Sequence, residues 1–203
     1  MKEPVAGRVK TRLAGHLGDA RAVAFFRHAM RSVVSRIAHS TRWQTYLAVT
    51  PDSSIFRGGF PNSVGPLVVH QFAQGGGNLG QRMQRVFDWM PAGPVVIVGS
   101  DVPLITSRHL KDAFRKLGRS DVVVGPSPDG GYWLIGMRRT PRVLRAFDGV
   151  RWSSADTLSD TLSNVADREV SRVEELADVD VIDDYKRLGA FAVRRILPVG
   201  GAS

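Results

Sequence analysis

The stretch PVVIVGSD, residues 94–101, constrains the fold more tightly than any other part of the chain. Val95, Val96, Ile97 and Val98 are all β-branched and follow one another without the polar alternation of a half-wet strand. Such a run is buried on both faces, as parallel strands are when helices cover both sides of their sheet. A chain built around it therefore has to supply helices for two faces and further strands for two edges.

The rest of the sequence reads that way. A helix is expected from Asp19 to His39 with Asp19 as N-cap, since Val23, Phe26, Met30, Val33 and Ile37 recur at helical spacing. QTYLAVT (44–50) and PLVVHQF (66–72) read as strands, and the Gly-, Pro- and Ser-rich stretch Pro51–Pro66 as the loop between them. NLGQRMQRVFDWM (78–90) is helical, with Leu79, Met83, Val86 and Met90 on one side. Thr106 caps a helix that runs to Leu117, and Gly118 supplies its stop. DVVVGPS (121–127) and GYWLIGM (131–137) are strands, and helices are expected near 141–147, 154–165 and 181–195. Strands alternating with helices, without repeats or a low-complexity linker, predict one α/β domain over residues 1–203, a sandwich around a mostly parallel sheet.

Composition narrows the function classes. With 43% apolar residues, the 203-residue chain can bury one ordinary core. No apolar run approaches a membrane span or a secretory leader, so a cytoplasmic protein without a membrane partner is expected. There is no cysteine, which excludes disulfides and thiolate catalysis. The formal charge of +9 raises nucleic acid as a partner, but the basic residues are dispersed and form no dense tract. Such a surface suits small anions, nucleotides included.

Five stretches carry candidate chemistry. Asp101 closes the buried run at a strand's carboxyl end, where ligands sit in open α/β sheets. A carboxylate there can hold a divalent ion against phosphates, or can simply cap the next turn. Asp129-Gly130-Gly131 fits a hairpin turn, and also a backbone that approaches an anion closely. QGGGNLGQRM (74–83) puts glycines and Asn78 before a helix, as a phosphate, sugar or base site or as a plain loop. It matches neither the P-loop nor the dinucleotide fingerprint. Asp178, Asp180, Asp183 and Asp184 are either helix-start residues or a source of a second metal ligand. At the N-terminus, Gly7 permits a bend carrying Arg8, Lys10 and Arg12, a set suited to a triphosphate or to solvent. Trp152-Ser153 reads as a core anchor or a stacking edge, and the five histidines have no ligand spacing.

Taken in order, KEPVAGRVKTRLA, GGGNLGQRM, VVIVGSDVPLIT, VVVGPSPDGGYWLIG, RWSSADTL and DVDVIDDY resemble one group of the GT-A nucleotide-diphospho-sugar transferase superfamily, the glycosyltransferase-like radical-SAM/selenodomain-associated transferases. The likeness runs from Met1 to about Leu188. The group is also similar to the phospholactate and phosphoenolpyruvate guanylyltransferases and, more distantly, to the molybdenum-cofactor guanylyltransferases. The resemblance implies a Rossmann-like three-layer α/β/α sandwich that binds a nucleotide with Mg²⁺ or Mn²⁺. It implies that Gly7, Arg8, Lys10 and Arg12 face the phosphates and that Asn78 and Gly80 line the base or sugar. Asp101 would hold the metal with Asp180, and Asp129, Gly130 and Gly131 would border the acceptor.

Two departures stand out. The group's first strand, just ahead of the basic turn, is missing, so an intruding segment such as RRILPVGG (194–201), or a second copy in a homodimer, is expected in its place. Val181 stands where the group often has threonine. The implied activity is metal-dependent transfer. In one version a small phosphorylated acceptor attacks a nucleoside triphosphate while Lys10 and Arg12 stabilise pyrophosphate. In the other a nucleotide-sugar is the donor and Asp129 serves as base. A non-catalytic nucleotide-binding protein is the third reading. Fold likeness alone does not choose among them.

Overall fold

In the computed structural model, residues 1–7, 9–56, 70–140 and 142–177 are described, and the side chain of Arg12 is not. The calls on Arg8, Asp178, Asp180, the helix at 181–195 and the tail at 194–201 therefore lie outside the described residues.

The basic turn leads directly into two helices. Lys10, in the left-handed region at φ 48°, starts α1 (Thr11–Leu17), and Gly18 at φ 81° bends the chain into α2 (Asp19–Ala38). Gly18, not Asp19, is the N-cap. Asp19 instead opens the first turn, where its charge complements the helix dipole. The apolar face of α2 does two jobs. Phe26, Met30 and Val34 pack on Leu47 and Val49 of β1 (Tyr46–Val49), while Val33 and Ile37 reach a second cluster. A single helical turn, α3 (Ser53–Phe56), follows β1, and β2 (His70–Ala73) then pairs with β1 in parallel.

The remaining strands form a separate four-stranded sheet in the order β3-β5-β4-β6. These are β3 (Gly93–Val98), β4 (Val122–Pro126), β5 (Tyr132–Arg139) and β6 (Val170–Arg172). Its faces are covered from both sides. Leu110, Ala113 and Leu117 of α5 (Ser107–Leu117) pack with Val123 and Leu134 on one face. Met83 and Phe87 of α4 (Leu79–Trp89) pack with Val122, Val124 and Ile135 on the other, beside Leu158 and Leu162 of α6 (Thr157–Ser163). Burying Phe87 completely is worth about 2–3 kcal/mol.

The sheet is mixed where a mostly parallel one was expected. β5 runs antiparallel to both β3 and β4, because only a short turn at Ser127–Gly131 joins β4 to β5. A connection that short can link only antiparallel neighbours. No helix forms at 142–147 among the described residues; the chain is irregular through Arg145 and turns at 146–149. Residues 1–6 form no strand either. Lys2 makes one parallel bridge to Thr50. No helix among the described residues is long and apolar enough to cross a membrane.

Candidate active site

β3 delivers Asp101 to the mouth of a cavity of about 930 Å³. The carboxylate does not stand alone. Lys10 Nζ donates to Asp101 Oδ2 at 2.8 Å, from a side chain only 5% exposed. The left-handed conformation of Lys10 lets α1 begin at the next residue while its side chain turns toward β3. Left-handed backbone in a non-glycine residue costs energy and collects at functional positions. Gly99 leaves room beside the carboxylate, since a Cβ there would lie 3.1 Å from Asp101 Oδ1. The loop after Asp101 is held by a residue the sequence reading passed over. Arg36 of α2 donates to the carbonyl of Pro103 and, at 3.4 Å, to that of Ile105. Arg36 is one of four arginines along α2 and lies on its exposed side, so nothing in the sequence singled it out.

Asp129 lines the same cavity. Its Oδ1 accepts the Gly131 N–H at 3.0 Å, and the Gly130 N–H donates to the Ser127 carbonyl at 3.2 Å, so the glycine pair is a tight turn. Gly130, at φ 84°, lies under Ala155, whose carbonyl oxygen would be 2.1 Å from an added Cβ. The turn is thus locked to the 151–156 loop, which presents Trp152, Ser153 and Ser154 to the same cavity. Ser153 is also left-handed, at φ 58°. This lip is braced from outside. Arg151 donates to both oxygens of Asp160, at 2.9 and 2.8 Å, which holds the Asp160 carboxyl down at about 2. Tyr132 lines the cavity behind Asp129, and burial pushes its phenol up to about 12. Trp152 packs against Phe147, with ring centroids 6.2 Å apart, and also lines the cavity.

Side chains of α4 hold the glycine loop before it. Arg85 donates to the carbonyls of Gln74 and Gly76, and Arg82 to that of Gly77. Asn78 and Gln81 form a reciprocal capping box, each side chain accepting the other's N–H at 2.9 Å. Gly80 is buried, and a Cβ there would lie 2.7 Å from Trp152, so its bareness serves the packing of the lip. Of residues 74–83, Gln74, Leu79, Arg82 and Met83 line the cavity.

The structure therefore brings Asp101, Asp129 and Gly131 to one cavity, with the buried Lys10 ammonium hydrogen-bonded to Asp101. Gly7 is exposed on the turn before Lys10, at φ 70°. The described residues contain no group of three or more potential metal-ligating His, Asp or Glu side chains. Asp101 alone still fits a hard divalent ion, because Mg²⁺ needs only one or two carboxylates when phosphate oxygens and water complete its shell.

Residues 33–154 match the family described as "Uncharacterized protein conserved in bacteria (DUF2064)". The chain belongs to that family. This DUF2064 chain is similar over 97% of its length to a crystal structure from Desulfovibrio desulfuricans G20 assigned to the nucleotide-diphospho-sugar transferases. The match has a TM-score of 0.84 and 30% identity and covers 88% of that protein. A 4-diphosphocytidyl-2C-methyl-D-erythritol synthase from Anaerococcus prevotii DSM 20548 shares the fold at TM-score 0.59 and 8% identity, over 80% of this chain and 85% of that one. A 2-phospho-L-lactate guanylyltransferase from Methanocaldococcus sp. (strain FS406-22) is 27% identical over 71 residues. That stretch is 35% of the DUF2064 chain and spans 31% of the guanylyltransferase. The resemblance read from the ordered motifs is thus shown at the level of the family and its structural neighbours.

Proposed function

We propose that the chain is a metal-assisted nucleotidyltransferase that takes a nucleoside triphosphate as donor and a small phosphorylated acceptor. The observation that carries the proposal is the Lys10–Asp101 pair, which sets a cation on a glycine turn against a carboxylate at the end of β3. A triphosphate entering this corner meets the Lys10 ammonium, which moves from carboxylate to phosphate and electrostatically stabilises departing pyrophosphate. Asp101, released from Lys10, would hold Mg²⁺, with Asp180 as its partner. The metal would neutralise charge on the transferred phosphoryl group. Gly7, Arg8 and Arg12 would complete the phosphate contacts, while Asn78 and Gly80 would shape the base or sugar side. The acceptor approaches from the Asp129–Gly131 wall, and an anionic phosphate nucleophile needs no general base there. The guanylyltransferase and the diphosphocytidyl synthase among the similar proteins support this class of donor.

One observation favours a second reading. Asp129 lines the same cavity as Asp101, where it could take a proton from an acceptor hydroxyl if a nucleotide-sugar were the donor. The relative assigned to the nucleotide-diphospho-sugar transferases supports that version.

Thermal unfolding against nucleoside triphosphates and nucleotide-sugars, each with and without Mg²⁺, separates the two. A ligand at 100 times its Kd stabilises by about 2.7 kcal/mol. One triphosphate that stabilises only with Mg²⁺, followed by pyrophosphate release on adding phosphorylated acceptors, is the expected result. Stabilisation by nucleotide-sugars alone, with turnover lost in Asp129→Asn, would establish the second reading. No stabilisation by any nucleotide would refute both.

A further inference from the structure

Two segments leave the four-stranded sheet side by side. β3 and β4 both run antiparallel to β5, so they are parallel to each other, and Val98 and Gly125 both pair with Leu134. Asp101 lies just beyond Val98 and Ser127 just beyond Gly125. Both therefore stand at strand carboxyl ends on one edge of the sheet, where α/β sheets take their ligands. With β5 between them, the two strands are roughly 10 Å apart, which leaves room for a small molecule.

Ser127 differs from the other buried hydroxyls among the described residues. Ser54 Oγ donates to Glu3 Oε2 at 3.0 Å, and Ser120 Oγ lies 2.7 Å from Ser171 Oγ. Thr157 Oγ1 donates to the Arg151 carbonyl at 2.7 Å, and Thr161 Oγ1 to the Thr157 carbonyl at 2.8 Å. Ser127 is only 7% exposed, yet its hydroxyl has no partner among the described residues. Nor is it sealed in. Among the described residues, the buried side-chain oxygen closed off without a partner is Gln84 Oε1, so the Ser127 hydroxyl keeps contact with the cavity that Ser127 lines. The Ser127 backbone is already used in the turn, its N–H donating to the Gly131 carbonyl and its carbonyl accepting the Gly130 N–H. A buried polar group without a partner is uncommon and calls for a reason.

We propose that Ser127 contacts the acceptor and reads a hydroxyl on it, so that the body of the acceptor is a neutral polyol or sugar and not a carboxylate. The proposal rests on the nucleotidyltransferase reading, in which an acceptor phosphate oxygen bonds to the α-phosphorus and the bridging oxygen leaves with pyrophosphate. The surroundings of Ser127 select for donors. Its hydroxyl can donate or accept, whereas the Asp129 carboxylate only accepts, and its Oδ1 is taken by the Gly131 N–H. Ser153 lines the same cavity and adds a second hydroxyl. Residues 127–132 and 152–157 contain no Lys, Arg or His, so they give a carboxylate no cation to meet while Asp129 repels it. Trp152, half-buried and lining the cavity, sets an apolar ring beside these groups for the carbon side of a polyol.

The test first identifies the triphosphate that stabilises the parent chain with Mg²⁺. Absence of any such shift refutes the donor assignment and this proposal with it. With that donor present, pyrophosphate release is measured on three groups of probes. Glycerol 3-phosphate, ribitol 5-phosphate and glucose 1-phosphate are hydroxylated, 3-phosphoglycerate and phosphoenolpyruvate are carboxylated, and propyl phosphate has neither group. A hydroxylated probe should exceed both propyl phosphate and the carboxylated probes in kcat/KM by about tenfold or more. Ser127→Ala should remove about tenfold of its preference over propyl phosphate. The same variant should keep the donor's stabilisation and show no lower thermal midpoint without ligand, since it removes an unpartnered hydroxyl. An undiminished preference in Ser127→Ala, or a lower midpoint in that variant, would overturn the proposal. Turnover of carboxylated probes alone, or of no probe at all, would also overturn it. Each of these results leaves the donor assignment standing.

Discussion

Lys10 and Asp101, 91 residues apart in sequence, meet at 2.8 Å where the basic turn crosses the end of β3. The pair ties the left-handed residue of the turn to the carboxylate that follows the half-buried Val95–Val98 run of β3. Lys10 is nearly enclosed and Asp101 one-third exposed, at 5% and 33% of their side chains.

Lys10→Met removes the cation while keeping a long side chain. The Asp101 carboxylate is then left without that partner in a half-buried place, a loss of about 1–2 kcal/mol, below the figure for a fully buried pair because water reaches Asp101. Triphosphate-dependent stabilisation should disappear in the same variant. Lys10→Arg should keep stability within about 0.5 kcal/mol yet bind triphosphate more weakly, since a planar fork does not replace a point charge. Urea unfolding with and without nucleotide checks both. Wild-type nucleotide binding in Lys10→Met would remove Lys10 from the site.

Asn78→Ala should cost about 1 kcal/mol, because it removes the side chain that caps α4. Asn78→Ser should recover most of that, as serine caps comparably. If the amide also contacts base or sugar, nucleotide affinity stays low in Asn78→Ser while stability returns. Affinity that recovers together with stability would confine Asn78 to capping.

Much of the fold was legible because local rules and tertiary packing agreed. α2, α4, α5 and the strands β1, β3, β4 and β5 fall within a few residues of the ranges their periodicity and caps predict. What was hidden is instructive. β6, Val170–Arg172, is three residues long and borrows its pairing from β4, so its own sequence carries no alternation to read. The stretch after Pro141 has helical-looking spacing in Val143, Leu144 and Phe147, but those side chains serve the core from non-helical chain. For the site, the meeting of Lys10 with Asp101 depends on the crossing of two distant segments, which no spacing rule encodes. The bracing of the lip by Arg151 and Asp160 was invisible for a different reason, since exposed charges at such spacing usually mark only a solvated surface.

Two glycines that look alike in the sequence should respond oppositely to alanine. Gly130→Ala places a Cβ against the Ala155 backbone at a φ of 84°, and backbone cannot yield as a side-chain tip can. A loss of about 2–4 kcal/mol is expected, with the acceptor-side wall displaced. At Gly76 nothing lies within 4 Å of an added Cβ. Gly76→Ala should stay within about 0.5 kcal/mol of the parent. Thermal midpoints of the two variants measure the difference, and similar values would show that the 129–131 turn is not locked to the 151–156 loop.

The Met1 amine gives the chain a pH dependence. Burial lowers its pKa from 8.0 to about 5, against a smaller opposing pull from the Asp101 carboxylate. The folded state therefore holds this amine neutral at pH 7, while the unfolded chain protonates it below about 8. Between these values the unfolded state carries the extra proton, so stability is full above pH 8 and falls as the pH drops toward 5. The total on this account is on the order of 4 kcal/mol. The same titration followed on chain acetylated at Met1 should lose this slope between pH 8 and 5. A slope that persists unchanged after acetylation would assign it to other groups and place the amine in water.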